Sequence, residues 1–284
     1  MRVRFLLLMF ATPSLLAAQS RPTTTIDPRT ASIDTLLETP GPRWASARSS
    51  HFVLHLERSA RGTSVVAMLD SLETAWRRAV ELLATSVADG EQVNVFVTAS
   101  RTRFAGLVTP EARGLTTRLP NAGTIVLLVR NDSVRDYVQH EVMHVVSSAA
   151  WGPTRSGLAW LAEGLATFAD GRCQNSTIDA VGRDLLAARP GFTAEMLMDH
   201  FSDLWRSERA ASYVFAGTLV DYLWSSRGRD GVRRIWQGQA RIVDVGPLPG
   251  TAGELTTGWR QYVARVAGAT HGIALNSLQR AGCG

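Results

Sequence analysis

Apolar and polar residues alternate first with the period of a strand and then with that of a helix. Phe52, Leu54 and Leu56 alternate with His51, Val53 and His55, which predicts a strand over His51–Glu57. From Ser64 to Thr85 the period lengthens: Val65, Met68, Leu69, Leu72, Trp76, Val80 and Leu83 recur at helical spacing. Gln92–Thr98 returns to a strand, and Thr102–Leu107 reads as a short helix. Gly114–Arg118 and Thr124–Val129 read as two more strands, joined through the turn residues Pro120-Asn121-Ala122-Gly123. Beyond residue 132 the pattern is helical almost throughout. Asp132 or Ser133 offers an N-cap for a helix to about Ala150, stopped by Trp151-Gly152-Pro153. A second helix spans about Gly157 to Asp170 and closes at Gly171. Others are expected near 178–188, 193–205, 207–227, 230–239 and 255–268. Strands first and helices after predict an α+β fold, with a small mixed-sheet lobe over about 49–150 and a helical lobe over about 151–284.

Composition adds compartment and excludes some partners. Of 284 residues, 45% are hydrophobic and 19% charged, enough apolar chain for a real core and too little charge for a disordered protein. Residues 1–18 read as a cleaved signal peptide. Arg2 and Arg4 form a basic start, Phe5–Ala11 and Leu15–Ala18 are apolar, and Ala17-Ala18 offers a cleavage site before Gln19. The run is too short and too broken to span a bilayer, so no stable membrane insertion is expected after cleavage, and the protein is expected to be periplasmic or secreted. Residues 19–48, rich in Thr, Pro, Ser and Arg, read as a linker or loosely packed arm, leaving 49–284 as the folded domain. All 30 basic residues are Arg, and removal of the signal lowers the formal charge from +5 to +3. The Arg residues are scattered and often lie near Asp or Glu, a compositional bias rather than a nucleic-acid patch. In an exported chain, the two cysteines, Cys173 and Cys283, can form one disulfide.

The candidate chemistry lies in His140-Glu141-Val142-Met143-His144, an HExxH motif on the helix expected after residue 132. Residues i and i+4 lie one turn apart on one face, so both imidazoles can reach one ion. From the next position Glu141 can reach a water at the ion's open site and act as general base. Apolar flanks (Val134, Tyr137, Val138, Val142, Val145, Val146) predict a buried helix, on which three polar groups need a common partner. A third His in the extended pattern would stand at position 150, with Gly at 147; the chain has Ser147 and Ala150 instead. Glu163, in Trp160-Leu161-Ala162-Glu163-Gly164, is separated from His144 by 18 intervening residues, room for a loop and an antiparallel helix that returns a carboxylate to the ion. Two His, one Glu and a water form a catalytic zinc set, so Zn2+ is the expected cofactor.

HExxH followed by WLxEG resembles the gluzincin zinc metallopeptidases, in particular the peptidase MA-like families distantly similar to the aminopeptidase N catalytic domain. The resemblance covers about 132–235 well and the preceding strands loosely. It implies a zincin-like fold, His140, His144 and Glu163 as zinc ligands, Glu141 as general base, and a peptide or protein substrate. Ala162 stands where those aminopeptidases carry Asn, and the chain has no GAMEN segment on an edge strand. The implied activity is therefore that of a peptidase, without the grip on a free amino terminus. The resemblance also implies two further roles. Asp170, two helical turns beyond Glu163, would accept the second N–H of a ligating His, with Thr167 as the alternative. Tyr213, ahead of an apolar helix, would stabilise the oxyanion of a tetrahedral intermediate, with Tyr222 as the fallback. His51, His55, His200 and His271 are not expected to be ligands, and the first two are expected to face solvent.

Two other functions fit the same residues. One is a non-catalytic binding protein with a structural zinc site; the other is a zinc hydrolase acting on a non-peptide amide or ester. Glu141 separates the first from an enzyme, because a three-ligand structural site has no chemical use for it. If the chain is a peptidase, an extended substrate would join the sheet at its edge, on Gly114–Arg118 or Thr124–Val129.

Overall fold

The computed structural model describes residues 36–37, 44–60, 64–87, 92–100, 113–119, 123–130, 137–173, 176–242 and 251–267. The signal segment, most of the arm, the short helix expected at 102–107, Asp132, Ser133, His271 and Cys283 lie outside them.

Five strands form one sheet in the order β1-β2-β3-β5-β4. β1 (Trp44–Arg48) pairs antiparallel with β2 (Phe52–Glu57), which pairs parallel with β3 (Val93–Thr98). β3 pairs parallel with β5 (Gly123–Val129), and β4 (Gly114–Leu119) closes the sheet antiparallel to β5. Among the described residues β4 is therefore the edge strand and β5 lies in the interior of the sheet. Trp44–Arg48 was expected in the arm and is instead a strand. Its Trp-Ala-Ser-Ala-Arg sequence has little strand character of its own, and pairing to β2 supplies it.

Between β2 and β3 runs α1 (Val65–Leu83), capped by Ser64, whose Oγ accepts from the Ala67 N–H. Its buried stripe, Met68, Leu72, Ala75, Trp76, Ala79 and Leu83, packs on the sheet face formed by Phe52, Leu54, Leu56, Val93, Val95, Val97, Val126 and Leu128. Phe96, Ile125, Leu127 and Val129 line the opposite face, which Leu36, Trp44 and Leu119 cover. That cover overturns the expectation for His55. It is buried on the second face, bonded to Ser46 Oγ at 3.0 Å and Asn94 Oδ1 at 3.1 Å, and stacked on Phe96. His51 is also held, its Nδ1 2.7 Å from Glu73 Oε2 and its ring on Trp76. Alternation alone cannot distinguish a strand with one wet face from one covered on both.

α2 (Val138–Trp151) and α3 (Ala159–Asp170) carry the motif residues. α2 begins well after the expected caps at Asp132 and Ser133. Its N-cap, Tyr137, makes no side-chain cap and is fixed by tertiary contact: it is buried, and its hydroxyl accepts from Arg113 Nη1 at 3.2 Å. α3 ends at Gly171 in the left-handed region. A short hairpin, β6 (Arg172–Cys173) with β7 (Ser176–Thr177), leads into α4 (Ile178–Ala188). α5 (Ala194–Ser207), α6 (Arg209–Trp236) and α7 (Ala252–Val266) complete the chain. α6 is broken at Gly228 (φ 67°), in the gap between the two helices expected there. One buried apolar cluster runs from Phe52 to Val263, so the sheet lobe and the helical lobe share a core. Among the described residues no helix is long and apolar enough to cross a membrane.

Candidate metal centre

α2 is buried along most of its length, with Val142, Met143 and Val146 fully enclosed. On the same helix His140 and His144 stand one turn apart, with Nε2 atoms 3.2 Å from each other. The chain then turns through Gly152 (φ 87°) and Gly157 (φ 84°), and α3 returns. Trp236 Nε1 donates to the Gly152 carbonyl at 2.9 Å, pinning this turn to the end of α6. Glu163 Oε2 arrives 3.2 Å from His140 Nε2 and 3.4 Å from His144 Nε2. The three side chains offer one donor atom each in a nearly equilateral triangle, the arrangement of a metal-binding group. A tetrahedral ion about 2.0–2.1 Å from N and O donors requires separations of about 3.3–3.5 Å between them, and the triangle fits. Side-chain exposure rises from 4% at His140 to 17% at His144 and 28% at Glu163, so the triangle opens to solvent on the α3 side.

Gly164 explains how Glu163 is held at this distance. A β-carbon at 164 would lie 2.6 Å from the Ala216 carbonyl oxygen and 2.8 Å from Val220, so only glycine lets α3 lie this close to α6. Gly217 does the same from the other side, against Thr167 at 2.8 Å and Ile178. Glu163 and Tyr213 thus reach the centre from two helices locked by small residues. The Tyr213 ring stands edge-on to His140, centroids 5.7 Å apart, and its hydroxyl accepts from Trp205 Nε1 at 2.9 Å.

Glu141 is buried beside the triangle without belonging to it. Its Oε2 accepts from Thr116 Oγ1 at 2.7 Å, and the same hydroxyl lies 3.1 Å from the Glu141 carbonyl. A β-carbon at Gly114 would overlap Glu141 Oε1. Alternate residues of β4 therefore shape one seat for this carboxylate, Gly114 by leaving room and Thr116 by donating.

The charges are interdependent. Burial raises the pKa of the Glu141 carboxyl; the two imidazoles and Thr116 pull it back without cancelling the rise, so its pKa stays above the ordinary value. Burial acts on Glu163 in the same sense, but the facing imidazoles prevail and hold it well below the usual carboxylate range. Burial works against a charged His144; Glu163 and then Glu141 outweigh that and raise its pKa. Two carboxylates here call for positive charge, which a proton on His144 supplies and which a bound cation would supply better. Burial, with Glu163 next, pushes Tyr213 well above its ordinary value, so the phenol keeps its proton.

The structure brings together His140, Glu141, His144, Glu163 and Tyr213. Tyr222 lies elsewhere, its ring 5.7 Å from Tyr262. His140 Nδ1 is buried with no hydrogen-bond partner, so the bond expected from Asp170 is not made at His140; Asp170 ends α3 immediately before Gly171. Thr167 Oγ1 is likewise buried without a partner and does not take that role. His200 is exposed on α5. Cys173 is buried and disulfide-bonded, and Cys283, the other cysteine of the chain, lies outside the described residues. No sequence signal marks Gly114, Thr116 or Trp205 as site residues. Gly and Thr are ordinary in an edge strand, and Trp205 is separated from Tyr213 by the break between α5 and α6. The chain matches no protein-family model, and no curated protein shows significant similarity to it.

Proposed function

We propose that this chain is a zinc-dependent peptidase of the gluzincin kind with a zincin-like fold, exported from the cytoplasm. The carrying observation is the position of Glu141: a buried carboxylate, seated by Gly114 and Thr116, beside a triangle of ligand atoms that is complete without it. Structural zinc sites are closed by four protein ligands, whereas three ligands leave a position open for water, and catalysis also needs a base that is not a ligand. His140, His144 and Glu163 would hold the ion. When bound, zinc supplies Lewis-acid polarisation of a carbonyl and lowers the pKa of a water to about 7.

The rest of the work falls to the chain. Glu141 takes the proton of the attacking water and delivers it to the departing amine. Tyr213, kept protonated, donates to the carbonyl oxygen as that oxygen gains charge. Among the described residues β4 has one edge unpaired in the sheet, and an extended peptide laid along it would be held by backbone hydrogen bonds next to Glu141. The disulfide at Cys173 and the basic-then-apolar amino terminus support an oxidising compartment outside the cytoplasm.

The test is zinc analysis of the purified mature protein together with digestion of a peptide library by wild type and Glu141→Gln. Near-stoichiometric zinc, with cleavage by wild type alone, is expected. Stoichiometric zinc without cleavage by wild type would favour a binding protein or a hydrolase of other amides or esters. Failure to take up zinc after metal-replete refolding would overturn the metal centre itself.

A further inference from the structure

We infer that Trp205 is a positioning residue for the reaction, acting through Tyr213; this rests on the peptidase reading above. Trp205 lies near the end of α5 and Tyr213 in the second turn of α6, with non-helical backbone at Glu208 between the two helices. The indole N–H can only donate, so the 2.9 Å bond makes the phenol oxygen the acceptor. A phenolic hydrogen prefers the plane of its ring, on one side of the oxygen or the other. Trp205 occupies one side, so the Tyr213 hydrogen is turned to the other. The ring's edge-on contact with His140 fixes the direction in which the phenol reaches the centre.

Trp205 is itself held. The Arg209 guanidinium lies over its ring at 3.9 Å, one helical turn before Tyr213. Arg209, Trp205 and Tyr213 form a chain of contacts that starts on α6, crosses to α5 and returns to α6. A tyrosine with a free hydroxyl would have to be oriented at the moment of reaction; here that orientation is set beforehand. Trp205 does not touch the reacting atoms, so its loss should reduce turnover and leave substrate affinity nearly unchanged.

The experiment compares Trp205→Phe, Tyr213→Phe and the double variant, zinc-loaded, on a peptide cleaved by wild type. Trp205→Phe keeps an aromatic ring and removes the donor. We expect a fall in kcat of about five- to tenfold with KM little changed, and no further fall when the substitution is added to Tyr213→Phe. An equal loss in both backgrounds, or a loss confined to KM, would show that Trp205 acts as substrate wall or scaffold and would overturn the inference. A second readout is independent of activity. The tyrosine doublet in ultraviolet resonance Raman spectra responds when a phenol oxygen accepts a hydrogen bond, and Tyr213→Phe isolates the contribution of Tyr213. Trp205→Phe must shift that contribution; an unchanged contribution would mean that the bond is absent. If zinc-loaded wild type cleaves no peptide, the peptidase reading falls and with it the catalytic role of Trp205, while the Raman result still decides the bond.

Discussion

The centre is reached from two sides that hold their residues in different ways. On the sheet side, β4 meets Glu141 through one hydroxyl and one vacant β-carbon position, a polar seat on an edge strand. On the helical side, Glu163 is carried in by the close approach of α3 and α6 at Gly164 and Gly217, while Tyr213 on α6 also takes the hydrogen bond from Trp205. The proposed base is thus set by a hydrogen bond and the proposed third ligand by packing. Replacing a hydrogen-bond partner costs about 1 kcal/mol, whereas intrusion into a packed interface costs about 1–3 kcal/mol. The sheet side should therefore tune the centre, and the helical side should make or break it.

The sharpest separation comes from Glu141→Gln, which should retain zinc and lose about 10²–10⁴-fold in turnover. Metal analysis beside kinetics checks this, and zinc loss would move Glu141 from base to ligand. Next is Gly164→Ala, which should destabilise the protein by about 1–3 kcal/mol and weaken zinc binding as α3 is pushed off α6. Thermal unfolding with and without zinc measures it, and an unchanged zinc affinity would uncouple the packing from the ligand. Thr116→Val should lower kcat by about fivefold without changing zinc content, and Thr116→Ser should restore it. Failure of serine to restore activity would assign the role to the methyl group instead of the hydroxyl.

The smallest expected effect lies outside the centre, where Asp179 on α4 faces Asp221 on α6, with Tyr262 of α7 beside them. Burial first and Asp221 second raise the Asp179 pKa to about 6. Burial, then the two aspartates, pushes Tyr262 up to about 12. A carboxyl with a raised pKa is favoured protonated in the fold, so wild-type stability falls as pH rises from about 4 to about 6 and stays lower above that. Asp179→Asn should therefore stabilise by about 1 kcal/mol near pH 8, after allowance for partial solvent screening, and by almost nothing near pH 4. Denaturant unfolding at both values checks the sign; equal gains would remove the charge explanation.

What could be read in advance followed from short-range periodicity. The i, i+4 spacing of His140 and His144 is a local fact, and the distance to Glu163 needed only a helix, a turn and a returning helix. The break at Gly228 showed as a gap between two helical patterns. What could not be read depended on pairing. Whether Gly114–Leu119 or Gly123–Val129 forms the edge is decided by long-range register, and Thr116 gains its role only once β4 is outermost. His55 looked solvent-facing because nothing near it in sequence announces the cover over the second sheet face. The start of α2 was misplaced because a buried tyrosine, held by Arg113, stands in for a capping side chain.

The two glycines between α3 and α6 also carry a genetic consequence. At Gly217 the first obstacle to a larger residue is the Thr167 side chain, which a second substitution can shorten. At Gly164 it is the Ala216 carbonyl oxygen, which belongs to the backbone and which no codon change removes. Damage at 217 should have suppressors on α3; damage at 164 should have none on α6. A selection for revertants of Gly164→Ala should return glycine at that codon, beside a glutamate retained for an unrelated, chemical reason.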